Sequence, residues 1–148
     1  MIGAAKRLCL SVLGGLVFSL SFLFVGLGKD EFLLCGKAYE KSYYLYSKSS
    51  WAEETETLSL LELPFVEGKS VRLEFSCERA AKEYAAAVAE KRGGNLQKAE
   101  YTGGVESYYY FCPQGGECVR IAGMPVNLHI AVSGRWVSVG APLIFGGF

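Results

Sequence analysis

Residues 8–28 are strongly apolar with no charged side chain among them, and Lys29-Asp30-Glu31 ends the run abruptly. Beyond it the pattern breaks into short alternating segments. The strongest is residues 125–148, PVNLHIAVSGRWVSVGAPLIFGGF. It predicts a strand, a tight Ser133-Gly134 turn and a returning strand, because antiparallel partners across a two-residue turn keep a constant index sum. That sum pairs Ala131 with Trp136, Ile130 with Val137, His129 with Ser138 and Leu128 with Val139. Leu128, Ile130, Val137 and Val139 then share one face, and alternation puts His129, Trp136 and Ser138 on the other.

Earlier in the chain, Phe32, Cys35 and Tyr39 recur at helical spacing and predict a short helix over residues 30–41, while the Tyr-rich residues 42–50 are β-prone and Trp51 extends them. Glu53-Glu54-Thr55-Glu56 is expected as a solvated turn; it lacks the Asp/Gly pattern of a calcium loop. Residues 58–63 form a short apolar segment interrupted by Pro64, hence an edge strand or irregular. Val71, Leu73 and Phe75 alternate with Arg72 and Glu74, a half-buried strand, and Ser76 is the expected N-cap of a helix over residues 77–91. Ala81, Tyr84, Ala85 and Val88 form its buried stripe, with Arg79, Lys82, Glu83 and Glu90 outward and Gly93-Gly94 as its stop.

Five β segments follow, residues 96–102, 105–112, 118–122, 126–133 and 136–141, joined by short Gly-rich connections. The expected fold is α+β: an antiparallel β-meander sheet packed on one main helix, after an N-terminal signal or anchor helix. The predicted core side of the sheet carries Tyr109, Phe111, Val119, Ile121, Leu128, Ile130, Val137 and Val139. At ~1.5 to 3 kcal/mol for each buried side chain, that is a workable core for one domain. The opposite side is expected to carry Tyr108, Tyr110, Arg120, His129, Trp136 and Ser138, an aromatic and basic face suited to an extended peptide, a glycan strand or a partner domain. A solvated or covered β face is the plainer reading of the same residues.

Lys6 and Arg7 ahead of the apolar run make residues 1–28 an export signal, or an N-terminal membrane anchor through residues 8–28 if it stays uncut. Gly26 and Gly28 supply small residues for cleavage before Lys29, and a bulky Leu34 disfavours lipidation of Cys35. Either outcome leaves residues 29–148 as a single extracytoplasmic domain, secreted or held at the outer side of the cytoplasmic membrane. Without Lys6 and Arg7 that domain has 13 basic against 15 acidic side chains. A duplex-binding domain shows a basic excess to neutralise phosphates, so no nucleic-acid partner is expected.

Cys9 falls in the leader, leaving Cys35, Cys77, Cys112 and Cys118, an even count that suggests disulfides in an oxidising compartment. Residues 108–112 and 118–121 flank the turn-rich Pro113-Gln114-Gly115-Gly116-Glu117, so a hairpin would set Cys112 opposite Cys118 at bridging distance. Cys35 and Cys77 then form the second pair, or remain reduced. A four-thiolate zinc site fits poorly, because neither pair has the close spacing of a zinc knuckle.

No catalytic signature emerges, and no cofactor or metal is expected. Ser133-Gly134 lacks the flanks of a nucleophile elbow. His129, the sole histidine, leaves an extracytoplasmic hydrolase using His129 with a carboxylate as the alternative to a non-enzymatic binding domain.

Asn127-Leu128-His129-Ile130-Ala131, then Val137-Ser138-Val139-Gly140-Ala141-Pro142-Leu143-Ile144 and a Gly-Gly-aromatic end, resembles the terminal hairpin of YwmB-like proteins. That pattern is Asn-Leu-Gln-Val-Ala followed by a strand into Gly-Thr-Pro-Ile-Ile; here His129 replaces the Gln and Ala141 the Thr. The resemblance covers about a sixth of the chain, with a looser likeness of Ser49-Ser50-Trp51-Ala52 to a Trp-containing strand near the family's mature N-terminus. It implies an exported domain of uncharacterised role; together with the aromatic face and the lack of a catalytic signature, the expected function is non-enzymatic contact with a protein or cell-envelope ligand. Members are longer, with room for two α/β halves where this chain has one. The family's "TATA-box binding" label rests on analogy of fold, which does not carry function.

Overall fold

In the computed structural model the residues described are 40–45, 53–56, 62 and 66–144. All belong to the second of the two units into which the chain divides, Phe32–Phe148. The expected leader, Cys35, Trp51 and most of the helix predicted over 30–41 lie outside the described residues.

Among the described residues, strands β1 (Glu40–Leu45), β2 (Glu53–Thr55), β3 (Val66–Glu74), β4 (Asn95–Thr102), β5 (Val105–Phe111), β8 (Leu128–Ser133) and β9 (Trp136–Ala141) form one seven-stranded sheet. Its order is β2-β1-β3-β9-β8-β5-β4, and every neighbouring pair is antiparallel. Helix α1 (Glu78–Lys91) carries the chain from β3 to the far edge at β4, and the later strands fill the gap back to β3. This is the expected α+β sheet on one helix. The short strands β6 (Val119–Ile121) and β7 (Met124–Val126) pair only with each other, in a separate two-stranded hairpin.

Burial explains the helix. Ala81, Tyr84, Ala85, Val88 and Ala89 are its buried residues, and the small alanines let its axis approach β8 and β9 closely. Under it lie Val71, Leu73, Leu128, Ile130, Val132, Val137 and Val139, all buried, with Phe75, Tyr108 and Tyr110 packed at the margin. The N-cap is Cys77, one residue beyond the expected Ser76, and it makes no side-chain capping bond. At the other end Gly93 N–H donates to the Glu90 carbonyl and Gly94 N–H to that of Ala89, each at 2.9 Å. That paired pattern is a Schellman stop, and Gly93 takes the left-handed conformation it needs, φ +59°.

Several expectations are corrected. Glu40 and Lys41 begin a strand instead of ending a helix, and residues 53–55 of the acidic run pair with β1 instead of forming a turn. The terminal hairpin closes on Ser133–Trp136, so Val132 pairs with Val137 and Ile130 with Val139. The turn is Gly134-Arg135, with Gly134 at φ +56°. The index sum differs from the expected one by an even number, so each residue keeps its predicted face.

The Cys112–Cys118 hairpin does not form. Gly115 N–H turns back onto the Cys112 carbonyl at 2.9 Å, and the chain then leaves the sheet. The place beside Cys112 is taken by Asn127: Cys112 N–H donates to its Oδ1 at 2.7 Å, and its Nδ2 donates to the Cys112 carbonyl at 2.9 Å. Cys112 is buried, Cys118 and Cys77 are exposed, and all three are free thiols. Val119 and Ile121, expected in the core sheet, are half-buried in the side hairpin.

Candidate functional site

The cross-strand register defines the sheet's second face, the one turned away from α1. Glu40, Ser42 and Tyr44 of β1, Ser70, Arg72 and Glu74 of β3, and Trp136, Ser138 and Gly140 of β9 stand there in line. His129 and Ala131 of β8, Ser107 and Tyr109 of β5, and Lys98 and Glu100 of β4 continue it. The helix side therefore carries the apolar core and this side most of the polar residues.

Its centre is closed. Tyr44 is 1% exposed and shares a hydrogen bond of 2.8 Å with the Ser70 hydroxyl. His129 is 3% exposed. Tyr109 stacks on its ring with centroids 4.4 Å apart and planes 17° from parallel. After β9 the chain folds back so that the Ile144 N–H donates to His129 Nδ1 at 3.3 Å. A Cβ at Gly140 would come within 2.7 Å of Ile144, so that fold-back needs glycine there. Burial holds the imidazole pKa down to about 4, with the opposing charge of Glu100 too weak to restore it. Glu100 in turn is ion-paired with Lys98 and accepts from the Tyr109 hydroxyl at 3.1 Å, and both hold its carboxyl below the usual range.

The rim toward the Gly134-Arg135 turn is different. Arg72 lays its guanidinium over the Trp136 ring, 4.6 Å from the centroid, and reaches Glu40 at 3.6 Å. Arg135 and Glu74 form an ion pair beside it. Trp136 is half-buried and the Arg72 side chain 32% exposed. A guanidinium stacked on indole is held flat at modest cost and leaves its edges for a polar partner.

Of the six residues expected on one face, His129, Ser138 and Trp136 share this one. Tyr108 and Tyr110 are on the opposite, helix-covered side, opposite Ile130 and Leu128. The cause is β5, which pairs with β4 and β8 instead of with residues 118–122, inverting its faces. Arg120 is on the side hairpin and donates to the Gly123 carbonyl at 3.0 Å. Tyr109, expected on the core side, belongs to this face instead, as do Arg72 and Glu100, which are absent from the expected set. For Arg72 the signal was present in its alternation with Val71 and Leu73.

A hydrolytic role for His129 finds little support in this setting. A general base works best with a pKa near the operating pH, and this imidazole is buried under a tyrosine ring with its basicity suppressed. Among the described residues no three His, Cys, Asp or Glu side chains are grouped as metal ligands, and no helix is long and apolar enough to cross a membrane. A cleft of about 290 Å³ opens at the other end of the sheet, between Gly68, Lys69, Glu117, Asn127 and Pro142. Its lining mixes both charges and shows no convergent polar set.

No family model, curated protein or solved structure matches this chain.

Proposed function

We propose that residues 29–148 form an exported, non-enzymatic domain of the YwmB-like kind that binds a protein or cell-envelope ligand, and that contact is made at the Trp136 rim. The observation that carries this reading is the Arg72–Trp136 stack, flanked by the Arg135–Glu74 pair, which sets a half-buried indole and a partly exposed guanidinium side by side on the polar face. Export is supported by Lys6 and Arg7 ahead of an uncharged apolar run, and the family by the residues 127–131 and 137–144. Tyr108 and Tyr110 drop out of the contact surface, since they pack toward the helix. His129 and Ser138 share the polar face with Trp136, and Tyr109 covers the His129 ring.

Co-sedimentation of the purified protein with cell-wall and membrane fractions tests this. Trp136→Ala and Arg72→Ala are expected to lose binding at least tenfold while keeping a cooperative thermal transition. Binding unchanged in both variants would remove the rim from the account, and binding to duplex DNA with a steep salt dependence would replace the envelope ligand by phosphates.

A further inference from the structure

Strand β4 ends the sheet, and among the described residues nothing pairs with its outer edge along Asn95–Thr102. An open edge of that length is a template for another strand, and proteins that stay monomeric blunt it with charged side chains, proline, a bulge or a very short strand; β4 has a bulge near one end and one charged pair, Lys98 and Glu100. The opposite edge, β2, has three residues. β4 has eight, none of them proline, and among the described residues it carries the two exposed large apolar side chains, Leu96 at 53% and Tyr101 at 73%.

The direction of its backbone groups follows from the turn. Gly103 and Gly104, at φ +60° and +84°, make a two-residue connection closed by Thr102 and Val105. Such a turn directs the Thr102 carbonyl at the Val105 N–H, so alternation turns Thr102, Glu100 and Lys98 toward β5. Ala99 and Tyr101 therefore present N–H and C=O outward.

We propose that two copies of this chain join edge to edge through β4, antiparallel about a two-fold axis at Ala99. The Ala99 residues then bond each other reciprocally, and Tyr101 pairs with Gln97 of the second copy. The sequence around the axis is self-complementary in charge. Lys98 of one copy falls opposite Glu100 of the other, twice, on the polar face, and opposite charges directly across an antiparallel pair stabilise it. On the helix face, Tyr101 covers Gln97 and reaches toward Leu96 of the second copy, removing both exposed apolar groups from water. Any other axis position on this strand gives up the double Lys98–Glu100 match. The Gln97 bulge, where β4 slips against β5, sets the end of the shared ladder. A closed two-fold pairing uses up both β4 edges, so assembly stops at two.

The inference is independent of the Trp136 rim. Its test is sedimentation of the full chain at tens of micromolar, joined to charge exchange. The wild-type chain is expected at twice the 16.1 kDa chain mass. Lys98→Glu sets like charges across the axis and shifts the chain to monomer, as does Glu100→Lys. The double exchange K98E/E100K restores opposite pairs and restores the dimer. Ala99→Pro removes an outward N–H that β5 does not use and abolishes association while the circular dichroism stays native. In an Ala99→Cys chain whose exposed Cys77 and Cys118 are replaced by Ser, the two new thiols face each other at the axis and a covalent dimer forms on mild oxidation, while the same chain with Ala99 retained stays uncrosslinked. A monomeric wild type, a dimer indifferent to Lys98→Glu, or a covalent adduct of Ala99→Cys with a different protein overturns the proposal, the last by naming a foreign strand as occupant.

Discussion

The Asn127 side chain and the Cys112 backbone are joined by two hydrogen bonds, one in each direction, so a carboxamide stands where a neighbouring strand's peptide group would. Asn127 N–H also donates to the Tyr110 carbonyl at 3.0 Å. Asn127 thus extends the β5–β8 ladder past the point where the chain enters β8, and fixes the register of the strand that carries His129.

Removing that carboxamide leaves a buried N–H and a buried carbonyl without partners, at ~1–3 kcal/mol each. Asn127→Ala is expected to destabilise by about 2–4 kcal/mol in urea unfolding. Asn127→Asp is expected to cost at least as much at neutral pH, since its carboxylate faces the Cys112 carbonyl. Gly115→Ala tests the same contact from the other side, because its Cβ would come 2.3 Å from Asn127 Nδ2. Wild-type midpoints in these variants would show that the tie is dispensable.

His129 predicts a pH dependence of defined sign. Its folded pKa of about 4 is below the ordinary 6.5, so the unfolded chain takes up the proton first. The stability that neutral His129 confers is whole above pH 6.5 and is lost as pH falls toward 4. At ~1.4 kcal/mol per pH unit, the full loss is on the order of 3 kcal/mol. His129→Gln cannot titrate and is expected to flatten that part of the stability–pH curve. A wild-type curve already flat between pH 6.5 and 4.5 would contradict the buried neutral imidazole.

Cys77 offers a helix-stabilising substitution. It caps α1 in an extended conformation without a side-chain bond, and its thiol is exposed and free. Cys77→Ser supplies a capping oxygen and is expected to raise stability by about 0.5–1 kcal/mol. A loss of about 2–4 kcal/mol under oxidising conditions, abolished by reductant, would instead reveal a bridge to Cys35.

The parts legible in the sequence are those where polarity alternates. Leu128 to Ser138 alternates, and its two faces were assigned correctly although the turn moved by one residue. The stripe Ala81, Tyr84, Ala85 and Val88 has helical period, and the helix stands where expected. Residues 108–111 are all aromatic, so no period of two marks their faces, and orientation had to come from a presumed partner. Cys112 and Cys118 suggested the wrong one. What decides the matter is the Asn127 side chain, a contact that skips the side hairpin and leaves no mark in local pattern. Tyr109 consequently moved to the polar face and Tyr108 and Tyr110 to the core. The closing of the polar face over His129 was equally hidden, because it depends on the chain after Pro142 folding back across Gly140.

The most direct test of the binding account replaces Ser133, the cross-strand partner of Trp136, by a photoreactive phenylalanine in the full chain, expressed in its native cells, with Arg120 replaced in a parallel strain. The account predicts one discrete light-dependent adduct from position 133, weakened by Arg72→Ala and absent from position 120. Equal adducts from both positions, or none from 133 in a folded chain, would contradict it.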